Sequence, residues 1–435
     1  MTTLGELFRR YGPTYRARFG HALSTSQLQV MQAIEACRTE ALGGHVYTCP
    51  SCQFTRYSYH SCRNRHCPTC QQDATQAWLA EQHALLLPVP YFLVTFTLPS
   101  ELRALARQHP ETIYPLLFRT SAAALQQLAQ DPRFLGGQIG MLGVVQTWTR
   151  DLRYHPHVHY LVPALALTPD SKRWLVGNSD FLLHVKPLGQ LFRAKFRAAL
   201  HQTAWVGQVD ARVWAKSWVV DCRPVGSGMS ALKYLAPYIF RIALSNNRIE
   251  RVTNDAVTFR YTEGKTGAQK RATLPVNSFI GRFLAHILPK GFVKVRYYGL
   301  LHPSQRQLLR EARSLLALQQ AVAPPSPAVP AVEPLVAVPD VSRCPSCGQP
   351  MQLVQTLPAK RQQERLVAMV GEPSSRGPPK SLERAQSVAS CPGVDDASGL
   401  WRASQSRSLS QQRLCACQLL VPTRQQRLVS GFPAA

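Results

Sequence analysis

The sequence predicts an α+β fold. Segments with the period-two alternation of β-strands, at 91–98, 141–152 and 157–167, are interspersed with segments of helical periodicity at 110–130 and 189–203. The second and third of these strands are joined by a short polar link, which favours antiparallel pairing. With 435 residues, of which 45% are hydrophobic, the chain is long enough to bury a sizeable core.

The other elements show the same periodicities along the chain. Apolar positions at helical spacing predict helices before residue 45, then a small cysteine-rich module at 45–72 and a further helix at 75–87. The later part of the chain predicts, in order, a strand around 211–220, a helix at 230–244, a strand at 256–261 and a basic helix at 276–288.

The charge balance predicts a polyanionic partner. The chain has 50 Lys and Arg residues against 24 Asp and Glu residues, a formal net charge of +26. A membrane-spanning helix is not expected, because the longest apolar stretch, 85–98, is short and is interrupted by Pro88 and Pro90. The first 19 residues are polar and carry four arginines, unlike a secretory signal. We therefore expect an intracellular protein that binds nucleic acid.

Paired cysteines predict a structural zinc site rather than disulfides. Cys49-Pro-Ser-Cys52 and Cys67-Pro-Thr-Cys70 are separated by fourteen residues, close to the spacing of four-cysteine zinc sites. The insert also contains His60, Cys62 and His66, so a substitution of one ligand by Cys62 or His66 stays open. Arg56, Arg63 and Arg65 in the same loop suit contacts to DNA phosphates, although such arginines also occur as solvated surface.

A third Cys-x-x-Cys pair, Cys344-Pro-Ser-Cys347, lies far along the chain. Its candidate partners for a second zinc are Cys415 and Cys417, across about seventy residues. Closing so long a loop costs only modestly more entropy than closing a short one.

Composition divides the chain into four segments. We expect a helical, zinc-binding and DNA-binding module at 1–88 and an α+β domain at 89–318. Six prolines between residues 321 and 340 predict an extended linker at 319–342. The remainder, 343–435, is rich in Ser, Arg and Gln, and we expect a cysteine-containing, mostly disordered tail.

Two histidines form a candidate site for a divalent metal ion. His157 and His159 alternate with Val158 on a predicted strand, so the two imidazoles share one face. Two imidazoles on one face can ligate one divalent ion, but ordinary strand histidines show the same pattern. The preceding strand offers Gln146 or Asp151 as a third ligand.

Two tyrosines are candidate nucleophiles. Tyr234 and Tyr238 are four residues apart on one face of a predicted helix, and Arg241 follows three residues later. Tyrosines at this spacing are often half-buried core aromatics. A metal-activated phosphate together with a tyrosine hydroxyl, however, is the machinery for breaking a DNA strand by covalent attack.

The sequence resembles the two-tyrosine HUH transposases of rolling-circle insertion sequences, which carry an N-terminal transposase zinc-binding domain. The resemblance covers roughly residues 5 to 315. The motifs that carry it occur in the family's order: Ser61-Cys62-Arg63-Asn64-Arg65-His66-Cys67-Pro68-Thr69-Cys70, His155-Pro156-His157-Val158-His159, Leu191-Phe192-Arg193-Ala194-Lys195-Phe196, Tyr234-Leu235-Ala236-Pro237-Tyr238, Ala243-Leu244-Ser245-Asn246-Asn247-Arg248-Ile249 and Phe283 to Phe292.

The resemblance implies an HUH nuclease core, an antiparallel sheet flanked by helices, with His157 and His159 as ligands of Mg²⁺ or Mn²⁺. Tyr234 and Tyr238 would then nick single-stranded or hairpin DNA ends of a mobile element and transfer strands through 5′-phosphotyrosine intermediates. It also implies a place in the bacterial cytoplasm, at the nucleoid. The oligomeric state stays open.

Two other functions compete with this one. A rolling-circle replication initiator or relaxase uses the same chemistry. A non-catalytic, zinc-dependent DNA-binding protein would use the histidines and tyrosines only for structure.

The segment 280–320 predicts a further DNA-backbone contact. It carries seven Lys or Arg residues against the single acid Glu311. Of these, Lys290, Lys294 and Arg296 follow the helix predicted at 276–288 and are the DNA-binding candidates, together with Arg63, Arg65 and Arg241.

Overall fold

The structure of the chain is a computed structural model that describes residues 3–70, 72–171, 173–240, 243–264, 266–321 and 342–360. Most of the predicted linker at 319–342, and the tail beyond residue 360 with Cys415 and Cys417, lie outside the described residues. The helices among these residues are α1 (Leu4–Phe19), α2 (Thr25–Ala36), α3 (Gln72–Leu85), α4 (Arg103–Gln108), α5 (Pro110–Ala129), α6 (Val185–His201), α7 (Met229–Phe240), α8 (Val276–Leu284) and α9 (Arg306–Ala321).

The strands are short except for two long central ones. They are β1 (Gly44–Thr48), β2 (Thr55–Tyr59), β3 (Tyr91–Thr97), β4 (Gln138–Trp148), β5 (Tyr154–Pro163), β6 (Leu165–Leu167), β7 (Trp174–Val176), β8 (Val220–Pro224), β9 (Ile249–Val252), β10 (Ala256–Thr262), β11 (Gln269–Pro275), β12 (Val295–Gly299) and β13 (Gln352–Leu357). No helix in the described part of the chain is long and apolar enough to cross a membrane.

The central sheet confirms the predicted α+β class. Its strand order is β7-β6-β4-β5-β3-β8, β12 also pairs with β4, and these pairings are antiparallel. Alternate residues of β5 point to opposite faces. Val158, Tyr160 and Val162 join one core with side chains of α5 and α6, whereas Leu161 joins a second core with Leu232 and other residues of α7 and α9. Helices therefore cover both faces of the sheet.

A second, smaller sheet is attached to the N-terminal helices. Strands β9, β10 and β11 form an antiparallel sheet in the order β11-β10-β9. Its Phe259 packs with Phe8 of α1 and with Phe279 and Phe283 of α8 in a common apolar core. Thr3 begins α1 with a reciprocal capping box, which satisfies backbone N–H groups at the helix start. The predicted helix at 276–288 is confirmed, and it ends at Leu284.

Part of the predicted tail forms a strand. We expected a cysteine-containing, mostly disordered tail at 343–435, and within it β13 pairs with β1 over Gly44–Thr48 and forms a three-stranded sheet in the order β13-β1-β2. The pairing explains why composition did not predict this strand. A strand that is exposed along almost its whole length needs no apolar pattern, because the backbone of β1 supplies its hydrogen bonds.

The strand predicted around 211–220 is also wrong. Residues Ala211–Trp214 form a short 3₁₀-helix, which Asp210 caps by accepting from the N–H of Arg212. The Trp214 and Trp218 rings stack with centroids 5.6 Å apart, so their aromatic character serves packing rather than a strand. The strand β8 begins only at Val220.

Gly143 allows the close pairing of β4 with β5, and its replacement should destabilise the fold. A Cβ at this position would lie 2.6 Å from the ring of Tyr160 and 3.1 Å from that of Phe118. The Tyr160 hydroxyl is fixed by Ser121 at 2.8 Å, so the ring has little freedom to move. We expect Gly143→Ala to lower the free energy of unfolding by about 1–3 kcal/mol in urea titrations. Gly207→Ala, which meets open space, is the control, and equal effects of the two changes would contradict this packing.

Candidate functional site

The two candidate metal-binding histidines lie on β5, on the face opposite Val158. Both side chains are buried, His157 at 8% exposure and His159 at 4%. In the strand register, His157 is opposite Gln146 of β4, and His159 is opposite Thr95 of β3. Three adjacent strands therefore contribute polar side chains to one point on the sheet.

Gln146 joins the two histidines. Its Oε1 lies 2.8 Å from Nε2 of His157 and 2.8 Å from Nε2 of His159. On the far side of each ring, Nδ1 of His157 lies 2.6 Å from the carbonyl oxygen of His155, and Nδ1 of His159 lies 2.8 Å from the Thr95 hydroxyl. Of the two third ligands that the sequence offers, Gln146 is the one that the structure brings to both imidazoles.

This arrangement of donors and acceptors fits a bound cation. Burial lowers the pKa of His157 to about 4 and that of His159 well below its ordinary value, so both rings are neutral at pH 7. Because a carbonyl only accepts, Nδ1 of His157 carries the proton and its Nε2 presents a lone pair. That lone pair faces the Gln146 oxygen, another acceptor. A divalent ion would satisfy these converging atoms.

Helix α7 lies on the histidine face of the sheet. Leu232 and Leu235 are buried at 1% and 0% exposure in the core that also contains Leu93 and Leu161 of the sheet. Lys233 lines the same cleft as His157 and His159. This helix carries the predicted nucleophiles, positions 234 and 238, and its backbone remains helical through both. The predicted DNA contact Arg241 lies outside the described residues.

Eight cysteines in the described part of the chain form two clusters instead of the single site that their spacing suggests. In each cluster the four sulfur atoms lie within 4.8 Å of one another. The first cluster contains Cys37, Cys62, Cys67 and Cys70, and the second contains Cys49, Cys52, Cys344 and Cys347. The predicted set of Cys49, Cys52, Cys67 and Cys70 is therefore divided between them.

A β-hairpin separates the two predicted cysteine pairs. Cys49 and Cys52 lie in the turn that joins β1 to β2, whereas Cys37 precedes β1 and Cys62 follows β2. Each strand has five residues, a length of about 16 Å, so the two ends of the hairpin cannot share one ion. His66 is not in the first cluster, and its Nε2 accepts from the Leu288 N–H at 3.3 Å.

The chain matches known proteins along most of its described length. A family model described as "Putative transposase" matches residues 140–308, and one described as "Transposase zinc-binding domain" matches residues 7–98. "Putative transposase y4qJ" of Sinorhizobium fredii is 40% identical over 336 residues, which cover 72% of this chain and 84% of that protein. The chain belongs to this family of two-tyrosine insertion-sequence transposases.

A second relative is described as the transposase of a particular insertion sequence. "Transposase for insertion sequence element IS801" of Pseudomonas savastanoi pv. phaseolicola is 29% identical over 300 residues, covering 63% of this chain and 70% of the relative. No solved structure gives a significant match. The protein is therefore a transposase, an enzyme that acts on DNA, and its cysteine clusters together with the matched zinc-binding domain indicate structural zinc.

The transposase has a basic cleft of about 1270 Å³ in front of the histidines. Among the described residues, eight basic and three acidic side chains line it. The basic ones are Arg150, Arg153, Arg223, Lys233, Arg248, Arg260, Lys270 and Arg271. Each acidic side chain is in an ion pair, Asp151 with Arg153, Glu250 with Arg271 and Glu263 with Lys270, so the cleft keeps an excess of five positive charges.

Sequence reasoning missed this basic wall. Most of its residues come from the turn between β4 and β5 and from the small sheet with the segment that leads into it, whereas Arg223 comes from β8 and Lys233 from α7, so no short segment contains them all. Arg248 connects these parts, because its guanidinium donates to the carbonyl of Arg150 at 2.5 Å and to that of Arg260 at 2.8 Å. The one usable signal was Arg248 in the motif Ala243 to Ile249.

The predicted DNA-binding residues occupy different environments. Arg63 and Lys290 are exposed, as a phosphate contact requires. Arg65 is half-buried, and its guanidinium donates to the carbonyls of Phe292 at 2.6 Å and Pro289 at 2.7 Å. These two bonds make Arg65 a clamp on the loop after α8.

Lys294 and Arg296 also contact protein groups. The Lys294 ammonium donates to the carbonyl of Ile239 at 3.3 Å and lies 5.0 Å from the centroid of the Trp148 ring. Arg296 lies over the Phe118 ring at 4.6 Å. Lys294 thereby connects the last turn of α7 to the wall of the cleft, which Trp148 lines.

Replacing Arg65 should affect stability more than replacing Arg63. Arg65→Ala leaves two carbonyls of the 289–292 loop without their donors, and we expect the free energy of unfolding to fall by about 2 kcal/mol. Arg63→Ala should change it by less than about 0.5 kcal/mol, since the side chain is exposed. Urea titrations check both, and an unchanged stability of Arg65→Ala would show that the clamp contributes nothing.

Lys294 should make stability depend on pH. Burial, with a smaller contribution from the charge of Arg65, lowers its pKa to about 7. Between about pH 7 and pH 10 the unfolded chain binds more protons at this residue than the folded chain. The wild type should therefore gain stability relative to Lys294→Met as pH rises, by up to about 1.4 kcal/mol per pH unit.

Urea titrations across that range test the pH dependence of Lys294. Lys290→Met is the control, because Lys290 is exposed, and its stability should remain parallel to that of the wild type. A constant difference between the wild type and Lys294→Met at all pH values would contradict the expected low pKa.

Proposed function

We propose that this transposase nicks one DNA strand at the end of a mobile element and transfers it, in rolling-circle transposition, through 5′-phosphotyrosine intermediates. Tyr234 and Tyr238 are the nucleophiles, and His157, His159 and Gln146 hold Mg²⁺ or Mn²⁺. The observation that carries the proposal is the convergence of two buried, neutral ring nitrogens on one side-chain oxygen, each at 2.8 Å.

The proposed reaction exchanges one phosphoester for another. The phenolic oxygen bonds to phosphorus, the bond from phosphorus to the 3′ oxygen breaks, and the strand ends in a free 3′-OH. The phenolic proton is balanced by the proton that the 3′ oxygen gains, so the net step releases none. A bound cation would polarise the scissile phosphate. The second tyrosine of α7 permits a second cleavage before the first link is resolved.

The charge of the cleft supports a DNA substrate. A single strand or the strand of a hairpin end carries one phosphate per nucleotide, and the excess of five positive charges around the histidines would attract it. Positive charge beside the reacting phosphate also opposes the charge that develops in the transition state. Arg63 and Lys290 are further phosphate contacts in this proposal, because both are exposed.

The first cysteine cluster holds the structural zinc of the N-terminal module in this proposal. The sulfur atoms of Cys62 and Cys70 are 3.6 Å apart. Four thiolates at about 2.3 Å around a tetrahedral zinc lie about 3.8 Å from one another, so the observed spacing fits the ion.

Formation of a covalent protein–DNA adduct tests the proposal. Wild-type protein, a labelled single-stranded oligonucleotide from the element end and Mn²⁺ should give a band that survives denaturation. The double change Tyr234→Phe with Tyr238→Phe should abolish it, because both attacking hydroxyls are lost while the rings remain. Each single change should retain adduct and lose strand transfer. Tyr261→Phe, a tyrosine of the same cleft, is the matched control and should retain both.

The metal site is tested in the same assay. Gln146→Leu keeps the size of the side chain but removes the oxygen, and we expect adduct at limiting Mn²⁺ to fall by about 10-fold to 100-fold. His157→Ala should reduce it further. Undiminished adduct in the double Phe variant would exclude the tyrosines, and undiminished adduct in both metal-site variants would exclude the ion.

A further inference from the structure

We propose that Cys49, Cys52, Cys344 and Cys347 form a second structural zinc site, which attaches the segment 342–360 to the N-terminal module. This site goes beyond the proposed function, and the matched zinc-binding domain ends at residue 98, far before Cys344. The argument rests on the geometry of the two loops, the spacing of the four sulfur atoms and the weakness of the other contacts that hold the segment.

The two loops that supply the cysteines have the same sequence and the same backbone bonds. Both read Cys-Pro-Ser-Cys. In the first, the N–H of Gln53 donates to the carbonyl of Cys49 at 2.9 Å, and in the second the N–H of Gly348 donates to that of Cys344 at 2.9 Å. The residue after each pair has a positive φ, 59° at Gln53 and 73° at Gly348. Such loops direct two sulfur atoms to one side.

The four sulfur atoms have the spacing of a tetrahedral site. Cys49 and Cys347 are 3.5 Å apart, and so are Cys52 and Cys344. Zinc thiolates predict about 3.8 Å, whereas a disulfide requires about 2.0 Å. Each close pair contains one cysteine from each loop, so an ion here connects residues almost 300 positions apart in sequence.

Little else holds the segment 342–360 in place. Its only buried side chains among the described residues are Cys344 and Met351, which pack with Cys49 and the half-buried Tyr47. Leu353 and Val354 of β13 are exposed, at 54% and 58%. Other contacts of the segment among the described residues include the backbone pairing with β1 and the ion pair of Lys360 with Glu40, and surface ion pairs contribute little stability.

Metal binding therefore supplies the missing stabilisation. A strand without a buried face has no hydrophobic driving force to offset the entropy of ordering it. Binding of one zinc ion to four thiolates contributes folding free energy and releases the protons of the thiols that it replaces. The ion thus keeps β13 paired with β1, which places β1 at the centre of its sheet.

Zinc content of the full-length chain is the first measurement. The double change Cys344→Ser with Cys347→Ser should bind one zinc fewer per chain than the wild type. Cys222→Ser, which changes a cysteine outside both clusters, should bind as much as the wild type. The single change Cys347→His keeps a fourth side chain that zinc accepts as a ligand and should bind as much zinc as the wild type, which separates loss of a ligand from loss of the fold.

Attachment of the segment is the second measurement. A protease site inserted between residues 322 and 341 allows the full-length protein to be cut after folding. The fragment that begins near residue 342 should remain bound to the rest of the protein, and a chelator or the double Ser change should release it. Formation of the covalent adduct on DNA is measured separately, so a failure of the proposed nicking reaction can be told apart from a failure of the second zinc site.

Three outcomes would overturn the second zinc site. The double Ser variant could retain the full zinc content of the wild type. The fragment that begins near residue 342 could dissociate from the rest of the protein after the cut, while the protein keeps the zinc content that it had before the cut. The native protein could show a mass lower by four hydrogens under non-reducing conditions, which would indicate two disulfides in place of the ion.

Discussion

The hydrogen-bonded register between β4 and β5 is the constraint on which the candidate active site depends. It places Gln146 opposite His157 and, on the other face, Gly143 opposite Tyr160. A slip of one residue would turn every side chain of β5 to the opposite face, so both histidines would enter the apolar core. The same packing that fixes Tyr160 against Ser121 and Phe118 therefore also fixes the metal-binding side chains.

Asn246 is one of the side chains through which the N-terminal module contacts the segment beside the wall of the cleft. Asn246 accepts from the backbone N–H of Leu4 at 3.0 Å and donates to the hydroxyl of Thr69 at 3.0 Å. Thr69 lies in the loop between Cys67 and Cys70, so α1, the first cysteine cluster and the segment that leads into β9 meet at this point. The zinc-binding module and the basic wall are thereby mechanically connected, although they come from distant parts of the chain.

Two residues that the sequence predicts as DNA contacts also bind backbone carbonyls of the protein, at α7 and at the loop after α8. Arg65 clamps the 289–292 loop, and Lys294 reaches from the start of β12 to the end of α7. A basic side chain at a half-buried position loses part of its hydration, and hydrogen bonds to backbone carbonyls compensate for that loss. The excess charge that faces the cleft comes from other residues, mainly arginines of the β4–β5 turn and the small sheet.

The sequence by itself determined the features that repeat over a few residues. Period-two alternation located β5 and the shared face of His157 and His159, helical spacing located α7 with Tyr234 and Tyr238, and two Cys-x-x-Cys pairs located the zinc-binding loops. These features depend on the local geometry of strands, helices and turns, which adjacent residues encode directly.

Only the tertiary structure decided which of these pieces meet. Spacing grouped Cys49 with Cys67, but the length of the β1–β2 hairpin separates them, and Cys37 and Cys344 complete the two clusters from distant positions. The same holds for Gln146 as the group shared by both histidines and for the basic wall around Arg248. Long-range contacts of this kind follow from strand pairing and chain closure, which depend on the whole chain and leave no period in its sequence.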